Sequence, residues 1–407
     1  MDTITNTREA VRHRIAFVSR LTLPDPAAHA LQTVQMAAAL SQEAHVRLYV
    51  HDMSRSQESI CEDYGLRGSP LEIRRLHTRR WPALLSRNGK AKVASYNSLV
   101  ALMLGVTPAY RPARNSHNVV FVRSRLETLY WGLMRPRLWW LRNWLFVCEI
   151  HDLWKERDSS SARQEIAKAL GSYDLILAVT GGLAEDIRAL RQDLKPAVVP
   201  LCSGLQTRRP SCTPFDPTRI VLGYVGKVDC AHGVKDLFRT LDLLPDNYRL
   251  RVVGRIEDDI RPWLERWKSE QAASARVEFR SPVSYSAVAE QIDSCDIVLA
   301  PAGDTVHSRK YRSPLKLFDY MARGKPIFAA DVPCHREILR DGIDACLYSP
   351  GNPVQLALKL QACVHQQRFI QALAVRAWEK AQGYTYQNRA RYILDLLEHV
   401  RSHRTQS

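Results

Sequence analysis

Several residues around position 313 have the types and spacing of an anion-binding site. Ser313 and Pro314 predict the start of a short helix, because Ser is a strong N-cap residue and Pro suits the first helical turn. Gly324 predicts the left-handed end of that helix. The apolar run 296–302 predicts a strand before it, so the unpaired N–H groups of the helix point beyond the carboxyl edge of a sheet. A helix start of this kind binds anions, most often phosphate.

The elements that must position this site alternate along the whole chain. Apolar strand-like runs are separated by helical patterns, which is typical of a parallel sheet covered on both faces. The proline-containing segment 208–217 predicts a linker, and a second, similar series of elements follows it. The sequence therefore predicts an α/β chain with two doubly wound, Rossmann-like domains that face each other across a cleft. Ligands of such open sheets bind beyond the carboxyl ends of the strands.

Composition narrows the class of protein. With 407 residues the chain is long enough for two domains with sizeable cores. No run has the length of a membrane-spanning helix and the N-terminus does not resemble a signal peptide, which predicts a cytoplasmic protein. The nine cysteines lie singly and are expected to be reduced thiols. There is no dinucleotide-binding Gly-x-Gly-x-x-Gly after a predicted strand and no Gly-x-x-x-x-Gly-Lys-Ser/Thr, and no acidic cluster suggests a required metal.

The net charge of +16 favours an anionic partner: nucleic acid, an acidic membrane surface or a phosphorylated substrate. Charge is concentrated in residues 73–92, which contain seven basic residues and no acidic one. These bases are Arg74, Arg75, Arg79, Arg80, Arg87, Lys90 and Lys92. Trp81 lies among them, so the segment suits an anionic lipid surface. An ordinary solvated face is the alternative, and the sequence leaves both open.

The segment 313–326 resembles the nucleotide-sugar segment of family 4 glycosyltransferases, which are retaining enzymes of the GT-B fold. It reads Ser-Pro-Leu-Lys-Leu-Phe-Asp-Tyr-Met-Ala-Arg-Gly-Lys-Pro. Similar features occur in order at 223–233, 252–254, Pro301 and 353–357. The resemblance implies transfer of a hexosyl group from a UDP- or GDP-sugar to a glycan acceptor, expected to be lipid-linked, in cell-surface polysaccharide synthesis. Nucleic acid is then not an expected partner.

The same resemblance implies roles for the domains. Residues 1–207 are expected to bind the acceptor, and residues 218–385, after the linker 208–217, to bind the nucleotide sugar. The C-terminal helix 386–407 is expected to cross back to the first domain.

It also implies site residues. The residues expected to bind the donor are Gly226, Lys227, His232, Gly233, Ser313, Pro314, Leu315, Lys316 and Asp319. Lys227 is expected to be catalytic as well, because a fixed cation stabilises the leaving diphosphate as it gains negative charge. A surface lysine at a strand end is the alternative for Lys227, and a solvated helix charge is the alternative for Lys316.

Three positions depart from the family pattern. His232 stands where the family usually has Lys or Arg, so this contact is weaker or depends on pH near neutrality. Asp319 replaces a Glu that binds the ribose in the family, and Tyr311 stands where the family's other acid would fall. Asp304 is a candidate substitute for that missing acid.

His151 follows the predicted strand 146–150, where the family has a histidine that contacts the transferred sugar. It is the second expected catalytic residue, with a turn-closing His-Asp pair as the alternative. Asp25 and His29, in the first strand-to-helix loop, are expected to bind the acceptor. Retaining transfer of this kind requires no nucleophile and no metal cofactor. The rival interpretations are a nucleotide-sugar epimerase of related fold and a non-catalytic glycan- or nucleic-acid-binding module.

Overall fold

The structure, a computed structural model, describes residues 13–25, 27–75, 117–123, 125–153, 159–211 and 215–404 of the chain. These residues form two compact units. The first unit contains the described residues up to Leu177, the segment Ile187–Ala197, and those from Ala390 onward. The second unit contains Ala178–Asp186 and Val198–Arg389. Of the basic segment 73–92, residues 76–92 lie outside the described part of the chain.

The first unit is built on a parallel sheet. The strands from the start of the described chain are β1 (Arg14–Val18), β2 (Thr22–Leu23), β3 (His45–Val50), β4 (Asp52–Met53), β5 (Glu72–Arg75), β6 (Asn118–Val122), β7 (Leu145–Ile150), β8 (Leu175–Ala178) and β9 (Ala197–Val198). Seven of them form one sheet in the order β5-β3-β1-β6-β7-β8-β9, and β2 pairs with β4. The helices over the same stretch are α1 (Ala28–Leu40), α2 (Gln57–Asp63), α3 (Arg125–Met134), α4 (Ser160–Leu170) and α5 (Gly181–Leu190).

The central strands of this sheet are apolar on both faces. β1 runs parallel to β3 and β6, with Arg14 opposite His45 and Asn118. Every residue of β6 and β7 is buried. This is the pattern of parallel strands covered by helices on both sides.

The second unit contains a similar sheet. Its strands are β10 (Ile220–Val225), β11 (Tyr248–Val253), β12 (Val277–Arg280), β13 (Ile297–Ala300), β14 (Ile327–Ala330) and β15 (Cys346–Tyr348), in the order β12-β11-β10-β13-β14-β15. The helices are α6 (Lys235–Asp242), α7 (Arg261–Glu270), α8 (Tyr285–Asp293), α9 (Leu315–Ala322), α10 (Pro333–Arg336), α11 (Pro353–Val364), α12 (Gln367–Ala381) and α13 (Tyr386–Arg404). Each pair of neighbouring strands in this sheet runs parallel. The predicted fold class, two doubly wound Rossmann-like units, is confirmed.

The last helix, α13, contributes to the first unit from Ala390 onward. There, Glu398 lies 2.7 Å from the Nε2 atom of His13, and Arg391 pairs with Glu43 at 2.9 Å. Arg404 donates to the carbonyl oxygen of Trp144 at 3.1 Å. The boundaries placed by sequence at 207, 218 and 386 remain predictions. Across the described residues, no helix combines the length and the apolar character needed to cross a membrane.

Candidate functional site

Lys227 lies at the carboxyl edge of the second sheet, two residues after the end of β10. The preceding Gly226 has a φ of +150°, and a Cβ atom there would lie 3.2 Å from the amine of Lys316. The amine of Lys227 is 3.4 Å from the Asp229 carboxylate and 3.5 Å from the Glu257 carboxylate. Its side chain is 48% exposed, so the amine remains accessible to a ligand at this edge.

His232 ends a short 3-10 turn that begins at Cys230 and is capped by Asp229. The Oδ1 atom of Asp229 accepts a hydrogen bond from the His232 N–H at 2.8 Å and lies 2.5 Å from the His232 Nδ1 atom. Burial, aided by the charges of Lys316 and Arg312, lowers the pKa of His232 to about 4 despite this carboxylate. The His232 ring is therefore neutral at pH 7. This favours a weaker contact with the donor over a contact that depends on pH near neutrality.

Lys316 is the second residue of α9, and its amine is buried. The Nζ atom lies 4.0 Å from the centre of the Tyr224 ring, and none of the described residues offers it a hydrogen bond. Burial and the charge of Arg312 hold the pKa of Lys316 well below its usual range. Interpreting Lys316 as a solvated helix charge is therefore wrong: the side chain turns inward, beside the Gly226 backbone.

Arg312 belongs to the same cluster, and sequence reasoning missed it. It directly precedes Ser313, and its Nη2 atom lies 3.5 Å from the carbonyl oxygen of Ala231. Burial lowers the pKa of Arg312, and its charge in turn lowers the pKa values of Lys316 and His232. The signal that marks it in the sequence is a base immediately before a Ser-Pro helix start.

Two glycines allow the loops around this cluster to touch. A Cβ atom on Gly233, whose φ is +70°, would lie 2.3 Å from the carbonyl oxygen of Ala302. A Cβ atom on Gly303 would lie 2.4 Å from the carbonyl oxygen of Ala231. Because real Cβ atoms do not approach backbone oxygens this closely, glycine is required at both positions. The loops after β10 and β13 therefore close one side of the site.

The predicted start of α9 needs correction. Pro314 is the N-cap residue, the helix begins at Leu315, and no side-chain cap bond is formed. The Ser313 hydroxyl instead accepts a hydrogen bond from the N–H of Leu201 at 3.1 Å, so a residue distant in sequence uses the oxygen that the cap would need. The predicted end is confirmed, since Gly324 has a φ of +60°. In the first turn of α9, the N–H of Leu317 donates to the carbonyl oxygen of Pro314 at 3.0 Å, which leaves the N–H groups of Leu315 and Lys316 at the helix start.

Asp319 is buried on α9. Its Oδ1 atom accepts hydrogen bonds from the hydroxyls of Ser203 at 2.6 Å and Tyr285 at 2.9 Å. Burial raises the pKa of Asp319 to about 6, although these hydrogen bonds oppose the rise. Both hydrogen bonds use the Oδ1 atom, so a role toward ribose falls to Oδ2.

The position of the missing acid is occupied by the buried Tyr311, which donates a short hydrogen bond to the carboxylate of Asp186 on α5. Lys310 binds the other oxygen of Asp186 at 2.6 Å. Asp304, the candidate substitute, is 93% exposed and pairs with Arg309 at 2.9 Å. It therefore forms a surface ion pair rather than part of the cluster.

A second group of polar residues lies at the carboxyl edge of the first sheet. His151 follows β7, and its Nε2 atom is 2.6 Å from the buried Glu149 carboxylate. The Nε atom of Arg123, just after β6, donates to the same carboxylate oxygen at 2.9 Å. The Nε atom of Arg123 also lies 3.0 Å from the Nε2 atom of His151, so this ring nitrogen contacts both a cationic donor and a carboxylate. The ring is thereby held in one orientation, with 30% of the side chain exposed.

Arg123 also connects this group to the start of α1. It donates to the carbonyl oxygen of His29 at 3.1 Å and to the Thr33 hydroxyl at 2.8 Å. The His29 side chain is 66% exposed and lies 3.7 Å from the carboxylate of Asp25. The expected acceptor residues Asp25 and His29 therefore lie near His151 in the first unit.

Glu127, in the first turn of α3, is a further buried carboxyl that sequence reasoning missed. It lies 3.7 Å from the Nε atom of Arg20. Burial raises the pKa of Glu127 to about 7. Both side chains follow strand ends at the carboxyl edge of the first sheet. Across the part of the chain that the structure describes, no group of three or more His, Cys, Asp or Glu side chains is placed to hold a metal ion.

The cluster in the second unit has the chemistry of a diphosphate site. It combines a helix start with three basic side chains, Lys227, Arg312 and Lys316. Two of these are largely buried, where fixed charges act more strongly than in water.

Comparison with known proteins supports the fold of the chain and the assignment of its second unit. A family model described as glycosyl transferase-like matches residues 232–395, less than half of the chain. No curated protein sequence matches the chain. The second unit therefore carries a glycosyltransferase-like domain, and membership of family 4 remains a prediction.

Solved structures resemble the whole chain. HepE from Anabaena in complex with UDP and glucose is 15% identical, with 95% of this chain and 99% of that chain covered and a TM-score of 0.67. Sucrose-phosphate synthase from Thermosynechococcus elongatus is 17% identical over 96% and 100%, with a TM-score of 0.70. WaaG, a glycosyltransferase involved in lipopolysaccharide biosynthesis, is 16% identical over 94% and 99%, with a TM-score of 0.62. At such identities the likeness shows the fold, which is the predicted GT-B fold.

Proposed function

We propose that the chain is a retaining glycosyltransferase that transfers a hexosyl group from a UDP- or GDP-sugar to a lipid-linked glycan in cell-surface polysaccharide synthesis. The observation that carries this proposal is the buried, unpartnered amine of Lys316 beside the glycine loop and Arg312. A buried donor without a partner is costly unless a ligand completes it. The similar Anabaena protein binds UDP and glucose, and the similar WaaG acts in lipopolysaccharide biosynthesis, which favours this donor class and acceptor class.

The charge of the leaving diphosphate is met in this proposal by side chains of the chain itself. Lys227, Arg312 and Lys316 stabilise the negative charge that grows as the glycosidic bond breaks, and the first N–H groups of α9 add to it. The acceptor attacks on the face that the diphosphate leaves, and the diphosphate takes the acceptor proton. No resident metal is then required.

The remaining predicted residues have supporting roles. His151 contacts the transferred sugar, with Glu149 fixing its ring and Arg123 fixing Glu149. The free oxygen of Asp319 binds the ribose. Asp25 and His29 bind the acceptor, together with the loop before α1.

The test is slow hydrolysis of a panel of nucleotide sugars, measured as release of UDP or GDP. We expect one donor to be hydrolysed, and Lys227→Ala to lower turnover on the order of 100- to 1000-fold. The control is Lys268→Ala, which removes a surface lysine that pairs with Glu265 in the same unit. Wild-type-like turnover of a folded Lys227→Ala variant would contradict the assignment. Nucleotide binding without any release would favour a binding module, and an epimerised nucleotide sugar would favour the epimerase.

We further propose that the chain works on the cytoplasmic face of a membrane, attached through residues 73–92. Arg74 pairs with Glu72 at 3.3 Å and Arg75 pairs with Asp52 at 2.8 Å, so these two bases have less free charge to offer than the sequence indicates. The other five bases lie outside the described residues.

A further inference from the structure

The first unit exposes two adjacent tryptophans between α3 and β7. Trp139 is 75% exposed and Trp140 is 42% exposed, whereas large aromatic side chains usually bury most of their surface. The two rings meet edge to face, with centroids 5.8 Å apart, in a single 3-10 turn. Their neighbours Leu138 and Leu141 are buried, so the turn is anchored from below while the indoles project outward.

The charge around these indoles is positive. Residues 134–144 contain three arginines and no acidic residue. Arg137 and Arg142 are exposed, and no carboxylate of the described chain forms an ion pair with either. Most other exposed arginines of this unit do have such a partner, including Arg55 with Asp63 and Arg191 with Asp193. We call Arg137, Trp139, Trp140 and Arg142 the tryptophan–arginine surface.

The parallel topology places this surface at the amino edge of the first sheet. α3 starts after the carboxyl end of β6 and runs back, so the turn that follows it lies where β7 begins. The end of α13 lies at the same edge, since Arg404 donates to the carbonyl oxygen of Trp144. His151, by contrast, lies at the carboxyl end of β7, a strand of six residues, or about 20 Å, away. The surface is therefore separate from the site around His151.

We propose that the tryptophan–arginine surface inserts into the interface of an anionic lipid bilayer. Indole rings favour the level of the lipid headgroups, and unpaired arginines are attracted to anionic lipids. A surface with two exposed indole rings is far smaller than a stable protein interface, which involves roughly 20 to 30 residues on each side. Two indole rings beside a basic surface do suffice as a membrane anchor. A neutral glycan would leave the arginines unused. This inference does not depend on sugar transfer, and it concerns residues other than 73–92.

The experiment uses the full chain and sedimentation with vesicles of phosphatidylcholine alone or mixed with phosphatidylglycerol. We expect binding to the mixed vesicles only. Arg137→Gln with Arg142→Gln should weaken binding about 30-fold at low salt, since each base near an anionic surface contributes about fivefold. Trp139→Ser with Trp140→Ser should remove the part of the binding that persists at high salt, because screening does not affect apolar insertion. Indole fluorescence of the parent should shift to shorter wavelength on binding.

The matched control is Leu358→Ser with Phe369→Ser, which removes two exposed apolar side chains from the second unit and should bind like the parent. A variant with Arg74, Arg75, Arg79 and Arg80 changed to Ser tests segment 73–92 separately; it should retain the salt-resistant binding. The proposal is overturned if the parent ignores anionic vesicles, or if the tryptophan variant, with parent-like circular dichroism, sediments like the parent. Capture of a soluble polysaccharide through these indoles in preference to vesicles would also overturn it.

Discussion

The buried amine of Lys316 should produce opposite effects on stability and on ligand binding when it is removed. In the free protein, a buried donor without a hydrogen bond costs about 1–3 kcal/mol, and its contact with the Tyr224 ring returns at most about 2 kcal/mol. Lys316→Met keeps the length of the side chain and removes this cost. We therefore expect the free energy of unfolding to rise by about 1 kcal/mol, which raises Tm by about 2–4 °C for a unit of this size.

Nucleotide binding should weaken in the same variant. A hydrogen bond to a charged group contributes about 1.5–3 kcal/mol, so the Kd for whichever of UDP and GDP binds the parent should rise about 10- to 150-fold. The pair of measurements is thermal unfolding without ligand and calorimetric titration with the nucleotide. Because Arg312 and burial hold the pKa of Lys316 low in the free site, binding of the anion should also take up protons in the parent and less in the variant.

Lys325 provides the matched control for this prediction. It is also a buried lysine of the second unit with a lowered pKa, but its amine donates to the carbonyl oxygens of Asp293 and Cys295 at 2.8 and 2.6 Å. Lys325→Met should therefore destabilise the fold and leave nucleotide affinity unchanged. If Lys316→Met behaves in the same way, losing stability with unchanged affinity, its amine is structural and the reasoning is refuted.

Two further predictions concern carboxylates. Because burial raises the pKa of Asp319 from 3.8 to about 6, this group makes the fold less stable as pH rises from 4 to 6. In urea unfolding, Asp319→Asn should therefore gain about 2 kcal/mol relative to the parent between pH 4 and pH 7, and a constant difference would contradict this. If the Oδ2 atom of Asp319 holds the ribose, calorimetric titration of Asp319→Asn should show a nucleotide affinity about 1–3 kcal/mol weaker than that of the parent. Unchanged affinity would make Asp319 purely structural. Glu149→Gln should lower kcat more than it changes KM and should shift the pH profile of turnover, since His151 loses its anionic partner; a profile identical to that of the parent would rule out the positioning role.

The fold could be predicted from the sequence because short stretches of residues determine each strand and helix. Strands such as β6 and β7 are continuous apolar runs, and a parallel sheet buries both faces of such runs. The end of α9 was equally readable, since Gly324 alone supplies the left-handed residue. Its start was not, because the Ser313 hydroxyl is used by the N–H of Leu201, more than 100 positions away. The preference of serine for the N-cap position does not take account of hydrogen bonds to residues that are distant in sequence.

The site was only partly predictable, for a related reason. The sequence places Lys227 after a strand and Lys316 in a first helical turn, and both positions are as predicted. It could not show that the Lys316 amine turns inward onto the Tyr224 ring, close beside Gly226, where a Cβ atom would lie 3.2 Å from the amine. Arg312 is marked in the sequence only by its place before the Ser-Pro helix start, and nothing there shows that its charge depresses the pKa values of two neighbours.

The family resemblance predicts a permanent base at position 232 and an acid at position 311, where this chain has His232 and Tyr311. The charges around Arg312 explain how the site can tolerate both residues. In the free protein the depressed pKa values of Lys316 and His232 reduce the repulsion among the clustered bases. A bound diphosphate would reverse this balance, favouring the protonated form of each group, so the positive charge of the site would increase when the anion arrives. The neutral Tyr311 adds no carboxylate to oppose that charge, and its hydrogen bond with Asp186 ties the loop before Arg312 to α5. The departures from the family pattern are therefore compatible with donor binding.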